Sequence, residues 1–294
     1  SYIEFDLEAI MRGELYSDFT IFWLLCHQSR LEGEDPSECW LEQWVQIAKE
    51  QGARALEDLR DAVEDAIERL GSGFLKHIGN QELRTKLRTG ELSVEEYKNQ
   101  LLRLIYRIIF LFVAEDRGLL HPEETDRRVR EVYADYYSVG RLRRLAERPR
   151  GGKHHDLYRS LQVVMEALGS DDGAPEIGLA PMGGGLWAPD FVPDLAHADI
   201  SNADFLAAIR KLTFMTRDGV RMAVDYANIG PEEIGGVYES LLELAPDLDA
   251  DSGHFELVGV SGSARKTTGS YFTPPELIQS LLDSALDPVL DELA

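Results

Sequence analysis

The sequence predicts a mainly α fold, a helical bundle followed by a small α/β connecting region. Three observations carry this. Capping signals open long runs in which apolar residues recur three and four apart; one run, residues 101–114, is apolar nearly all round; and strand-like alternation is confined to the last third of the chain.

The first strong helix signal is Asp35, Pro36 and Glu38, which supply an N-cap, a first-turn proline and an acidic third position. Apolar residues then recur from Trp40 and Trp44 through Leu59, Val63, Ile67 and Leu70 to Gly71, predicting one long helix or two abutting ones, with a weak point near Gly52. A capping box, Ser93-Val-Glu-Glu96, opens the second, which should be the central helix of the bundle and should stop at Gly118. Residues 129–145 read as helix broken around Gly140, 148–155 as a polar loop in which His154 and His155 are too close in sequence to chelate together, and 156–168 as a shorter amphipathic helix.

Residues 169–200 are rich in Gly and Pro and read as an ordered loop. Within it, Gly183 to Gly185 lack the Lys and Ser/Thr of a phosphate loop; a tight turn seating Leu186 and Trp187 against the core is expected instead. Ser201 to Asp204 cap a helix through Leu212, residues 214–226 alternate around Asp218-Gly219 as a hairpin, Pro231 starts a helix, and 254–260 read as a strand. This divides the chain into a helical region, 1–168, a connecting region, 169–250, and a last segment, 251–294.

With 294 residues and 44% hydrophobic content, the chain has room for one large domain or two small ones with a real core. No apolar run reaches the roughly 18 residues of a membrane span, and the N-terminus lacks the basic and apolar stretches of a signal peptide, so a soluble cytoplasmic protein with no membrane partner is expected. Cys26 and Cys39 lack metal-ligand spacing and read as plain thiols, and no metal site is expected.

The net charge of -23 argues against a nucleic-acid partner, but its distribution is uneven. Residues 1–70 carry -11, 71–160 carry +5 and 161–294 carry -17. Arg127, Arg128, Arg130, Arg141, Arg143, Arg144, Arg148, Arg150 and Lys153 make the middle the one plausible DNA-facing surface, the alternative being ordinary solvated helices. The acidity elsewhere, with seven lysines against 23 arginines, also fits adaptation to high salt. Arg103 and Arg107, with Glu115 and Asp116 about two turns on, are charges on a buried helix and need partners; they mark either a site or pairing with neighbouring helices. Glu96 and Lys98 have the E-x-K form of a metal-dependent nuclease but lie in a first helical turn, where a solvated helix start is the simpler reading.

Residues 265–276, RKTTGSYFTPPE, sit between the strand and a helix with the pattern ELIQSLLDSAL. Gly269 permits a tight turn, Tyr271 and Phe272 offer aromatic faces, Thr273 a hydroxyl, and Pro274 and Pro275 fix the start of the helix, whose free N–H groups suit a carboxylate. On physics alone this is equally a structural cap.

This segment resembles the N-terminal cofactor motif of adenine-specific DNA methyltransferases, a basic pair followed by GSYYTP and a helix, with Phe272 in place of the second tyrosine. Residues 102–120 (LRLIYRIIFLFVAEDRGLL), 182–187 (MGGGLW) and 234–242 (IGGVYESLL) resemble stretches preceding that motif in large restriction-modification-type and phage-defence methyltransferases of the BREX and DISARM kind. The resemblance implies that Tyr271, Phe272, Thr273 and Pro274 line an S-adenosylmethionine site, that 251–294 begin a Rossmann-like methyltransferase domain truncated after its first helix, and that DNA and other defence-system proteins are partners. The Asn-Pro-Pro-Tyr-type loop that holds a flipped adenine, and the Gly-rich strand end that holds the body of the cofactor, are both absent from these residues. No catalytic residue is therefore assigned, and the chain alone is expected to be inactive. The rival expectations are a non-enzymatic helical module docking partner proteins and a helical DNA-binding module.

Overall fold

Apolar periodicity becomes helix through most of a computed structural model, which describes residues 5–13, 15–31, 39–149, 151–217, 220–259, 277 and 280–286. The chain forms two compact units, Ser1–Glu57 and Asp58–Ala294. The first holds α1 (Leu7–Gly13), α2 (Tyr16–Cys26), α3 (Gln28–Leu31) and the opening of α4 (Trp40–Lys76). The proposed cap at Asp35 to Glu38 lies outside the described residues.

The second unit contains the end of α4, then α5 (Gln81–Thr89), α6 (Val94–Asp116), α7 (Arg127–Tyr136), α8 (Val139–Ala146), α9 (Asp156–Gly169), α10 (Asn202–Thr213) and α11 (Pro231–Leu242). Two antiparallel hairpins complete it: β1 (Phe214–Arg217) with β2 (Val220–Ala223), and β3 (Leu244–Asp249) with β4 (His254–Gly259). Arg217 pairs with Val220, in keeping with the expected hairpin; Asp218 and Gly219 themselves lie outside the described residues. No helix among the described residues is long and apolar enough to cross a membrane.

As its composition predicts, α6 is central: Tyr97, Leu101, Leu104, Ile108, Leu111 and Phe112 are wholly buried. Each such side chain stabilises the fold by about 1.5–3 kcal/mol relative to exposure. The Ser93 hydroxyl accepts the Glu96 N–H at 3.1 Å, but the capping box is only half formed, because the Glu96 carboxylate accepts instead from Arg103 Nη1 at 2.8 Å. At the other end Gly118 adopts φ +65° and the Leu119 N–H reaches back to Ala114 O at 2.9 Å, a Schellman closure.

Two expectations are corrected and one is extended. The first helix does not end at Gly71 but runs to Lys76, because Gly71 and Gly73 serve close packing: an added Cβ would lie 2.5 Å from Phe255 Cδ1 and 2.6 Å from Ile200 Cδ1, respectively. Its last carbonyls are then capped, Phe74 O by Asn80 Nδ2 at 2.8 Å and Leu75 O by Arg84 Nη1 at 2.8 Å. The interruption expected near Gly140 falls at Tyr137–Ser138, because Ser138 Oγ caps α8 by accepting the Arg141 N–H at 3.0 Å. The strand at 254 has a partner the sequence concealed: in β3, Pro246 lies opposite Leu257, and a two-stranded sheet tolerates proline because both strands are edges.

The Gly- and Pro-rich stretch is ordered, as expected, by folding onto the helices. Gly183 and Gly184 take positive φ, Met182 N and Gly183 N donate to Leu168 O, and Trp187 is buried at the edge of Phe110, 5.5 Å between ring centres. That packing explains why the compact units part near residue 57 and not near residue 168.

Candidate functional site

The charges on α6 find partners within the fold. Glu115 Oε1 accepts from Tyr133 Oη at 2.6 Å and from Val139 N at 2.7 Å, and its Oε2 from Gly140 N at 2.8 Å, so a half-buried carboxylate caps the N-terminus of α8. Burial lifts the Glu115 carboxyl above its ordinary value despite these three bonds, and the same burial raises Tyr133. Asp116 holds Arg143, whose Nη1 lies 2.8 Å from both carboxylate oxygens. Arg103 pairs with Glu96, while Arg107 donates from Nε to Leu186 O at 2.7 Å and from Nη2 to Ala188 O at 2.9 Å.

Of the two residues in the E-x-K pattern, Glu96 points to Arg103 and Lys98 is buried, its Nζ 2.9 Å from Leu244 O and 2.6 Å from Glu95. They form no shared metal site, and no group of three metal-ligating side chains exists among the described residues.

The basic segment divides by role. Arg143 is committed: besides Asp116, its guanidinium stacks over Phe112 at 5.2 Å and Tyr226 at 5.6 Å, with its side chain 18% exposed. Arg130 closes the preceding turn through Pro122 O, Glu123 O and Thr125 O. Arg141 and Arg144 make only long contacts, 3.4 Å each, to Tyr136 O and Ala134 O. Arg144, Arg148 and Lys153 are exposed, and Arg150 lies outside the described residues.

Two further arginines join this surface from distant parts of the chain. Arg210 Nε caps Ala146 O at 2.6 Å and Arg221 Nη1 caps Glu147 O at 3.0 Å, both at the C-terminus of α8, where the helix dipole favours cations. No spacing in the sequence signals them; they come from α10 and β2. The loop bearing Lys153 is pinned behind, since Asn202 N donates to His154 O at 2.5 Å and Ala203 N to Gly152 O at 3.2 Å.

Tyr271, Phe272, Thr273 and Pro274 lie outside the described residues. The hairpin preceding them is anchored on α4 and α6: Phe255 N donates to Ser72 Oγ at 3.0 Å, Leu257 N to Glu68 Oε1 at 2.9 Å, and the Phe255 ring meets the Tyr97 edge at 5.5 Å.

The stretches 102–120, 182–187 and 234–242 meet on one helix. Tyr106 packs edge to face on Tyr238 at 4.9 Å, Phe110 on Trp187 at 5.5 Å, and Arg107 bonds the Leu186 carbonyl. No protein-family model matches this chain, and no curated protein or solved structure matches it significantly.

Proposed function

We propose that this chain is the N-terminal, mostly helical part of a DNA adenine N6-methyltransferase that uses S-adenosylmethionine in a restriction-modification or phage-defence system. The observation that carries the reading is the ordered resemblance of four stretches, ending in RKTTGSYFTPPE, to that family. The convergence of the three upstream stretches on α6 supports it, because segments that recur together in a family are expected to form one packing unit.

In this reading Tyr271, Phe272, Thr273 and Pro274 form one wall of the cofactor pocket, with the helix start after them facing the methionine carboxylate. Arg141, Arg144, Arg148, Arg150 and Lys153 contact DNA phosphates, joined by Arg221. These 294 residues contain no Asn-Pro-Pro-Tyr or Asp-Pro-Pro-Tyr tetrapeptide, so the reading assigns the flipped adenine to other residues of the enzyme.

The test is transfer of labelled methyl groups from S-adenosylmethionine to duplex DNA by the full-length gene product. Tyr271→Ala and Thr273→Ala are each expected to lower transfer by about tenfold or more. Full activity in both variants overturns the pocket role, and absence of N6-methyladenine overturns the reaction class.

A second reading, a helical module that docks partner proteins of a defence complex, is favoured by α2, which has no buried residue and leaves Ile21, Trp23 and Leu24 each 53% exposed. It predicts that deleting residues 1–31 abolishes complex formation while S-adenosylmethionine binding survives.

A further inference from the structure

A cleft of about 360 Å3 opens between the C-terminal half of α9 and residues 187–197. That volume lies in the range of small-molecule sites. Met165 of α9, with Trp187 and Ala196 of the facing segment, makes its lining largely apolar. Arg107, projecting from α6, lines it as well.

Arg107 is 4% exposed, and among the described residues it forms no ion pair. Its bonds to Leu186 O and Ala188 O use two of its five N–H donors, its guanidinium lies over the faces of Trp187 and Phe191, and the nearby Tyr158 is a neutral phenol whose hydroxyl donates to Leu195 O. A cation withdrawn from water in this way is costly unless an anion meets it. The other buried cation of the described residues, Lys98, has such a partner in Glu95 at 2.6 Å. Glu166 lines the same cleft yet stays exposed and forms no ion pair with Arg107, while His197 adds an exposed donor.

We propose that this cleft binds a small organic anion, its carboxylate or phosphate head on Arg107 and its apolar body against Met165 and Trp187. The site is independent of the methyltransferase reading, because it uses none of residues 265–276.

Calorimetric titration with benzoate, phenyl phosphate and neutral benzamide, alongside tryptophan fluorescence, tests it. At least one of the two anions should bind, about tenfold or more tighter than benzamide, as expected when a charged hydrogen bond is lost. Whichever head group binds more tightly identifies the natural one. Because Arg107→Met also frees two carbonyls that hold the 186–188 segment, Ala196→Phe is the companion variant: it fills the cleft, keeps the Arg107 bonds, and should abolish binding. No anion binding at millimolar concentration, equal binding of benzamide, or binding that persists in Ala196→Phe overturns the proposal.

Discussion

Arg143 and Asp116 form an ion pair in which Nη1 is shared by both carboxylate oxygens at 2.8 Å, under the rings of Phe112 and Tyr226. The pair ties α8 to the end of α6, so a residue that belongs by sequence to the basic surface serves by structure as a half-buried tie between two helices.

Arg143→Ala should therefore behave differently from its neighbours. Removing one partner of this half-buried pair is expected to destabilise the chain by roughly 1–3 kcal/mol, below the loss for a fully buried pair. Arg144→Ala, Arg148→Ala and Lys153→Ala should each shift stability by less than about 0.5 kcal/mol. If the proposed DNA contact is right, each of the latter three also lowers the salt slope of duplex binding by about one. Chemical denaturation and binding titrations at several salt concentrations measure both quantities; equal destabilisation by all four substitutions would refute the division.

Glu115 makes stability depend on pH. Its folded value is raised by burial, so the folded chain holds the proton more tightly than the unfolded one. The resulting stabilisation is fully present below the unfolded value, about 4.3, and is lost as pH rises through the raised folded value. Glu115→Gln cannot titrate and has one acceptor oxygen for three donors, so it should be less stable than wild type, by a margin that narrows with rising pH across that window. Unfolding curves between pH 4 and 7 read this directly, and a margin that stays constant counts against the raised value.

Glycines in two helices should respond in opposite directions. Gly71→Ala places a methyl group against Phe255, whose ring has no free space beside Tyr97, and should cost about 1–3 kcal/mol. Gly236, exposed within α11 with nothing within 4 Å of an added Cβ, should gain about 0.5–1 kcal/mol on conversion to alanine. Thermal melts of the two variants suffice, and a shared sign would show that helix propensity outweighs packing at Gly71.

Lys98→Met tests the anchoring of the β3–β4 hairpin. The substitution leaves the Leu244 carbonyl without its donor and should destabilise by about 1–3 kcal/mol. Amide exchange across residues 244–259 should accelerate more than exchange within α9; uniform acceleration would mean that the contact is not specific to the hairpin.

Much of the element order was legible beforehand. Ser93 and Ser201 each accept the N–H three residues on, and the hydroxyl of a cap needs no information beyond the first helical turn. The nearly all-round apolar pattern of α6 likewise announces a helix buried over most of its surface, and the alternation around Asp218-Gly219 announces the β1–β2 hairpin. These signals are local, written in hydrogen bonds and periodicities that span a few residues.

Tertiary structure decided what the charges and glycines are for. Gly71 looked like a helix stop and is a contact with Phe255, 184 residues away in sequence; β3 stayed hidden until β4 lay beside it; Arg210 and Arg221 reached the end of α8 from other elements. Arg107 and Arg143 sit four residues and one residue from further arginines, yet among the described residues one faces a cleft without a counterion and the other is neutralised by Asp116. A side chain's charge is fixed by its chemistry, but its environment is set by elements that only folding brings within a few ångströms, and that environment determines whether the charge is free to act.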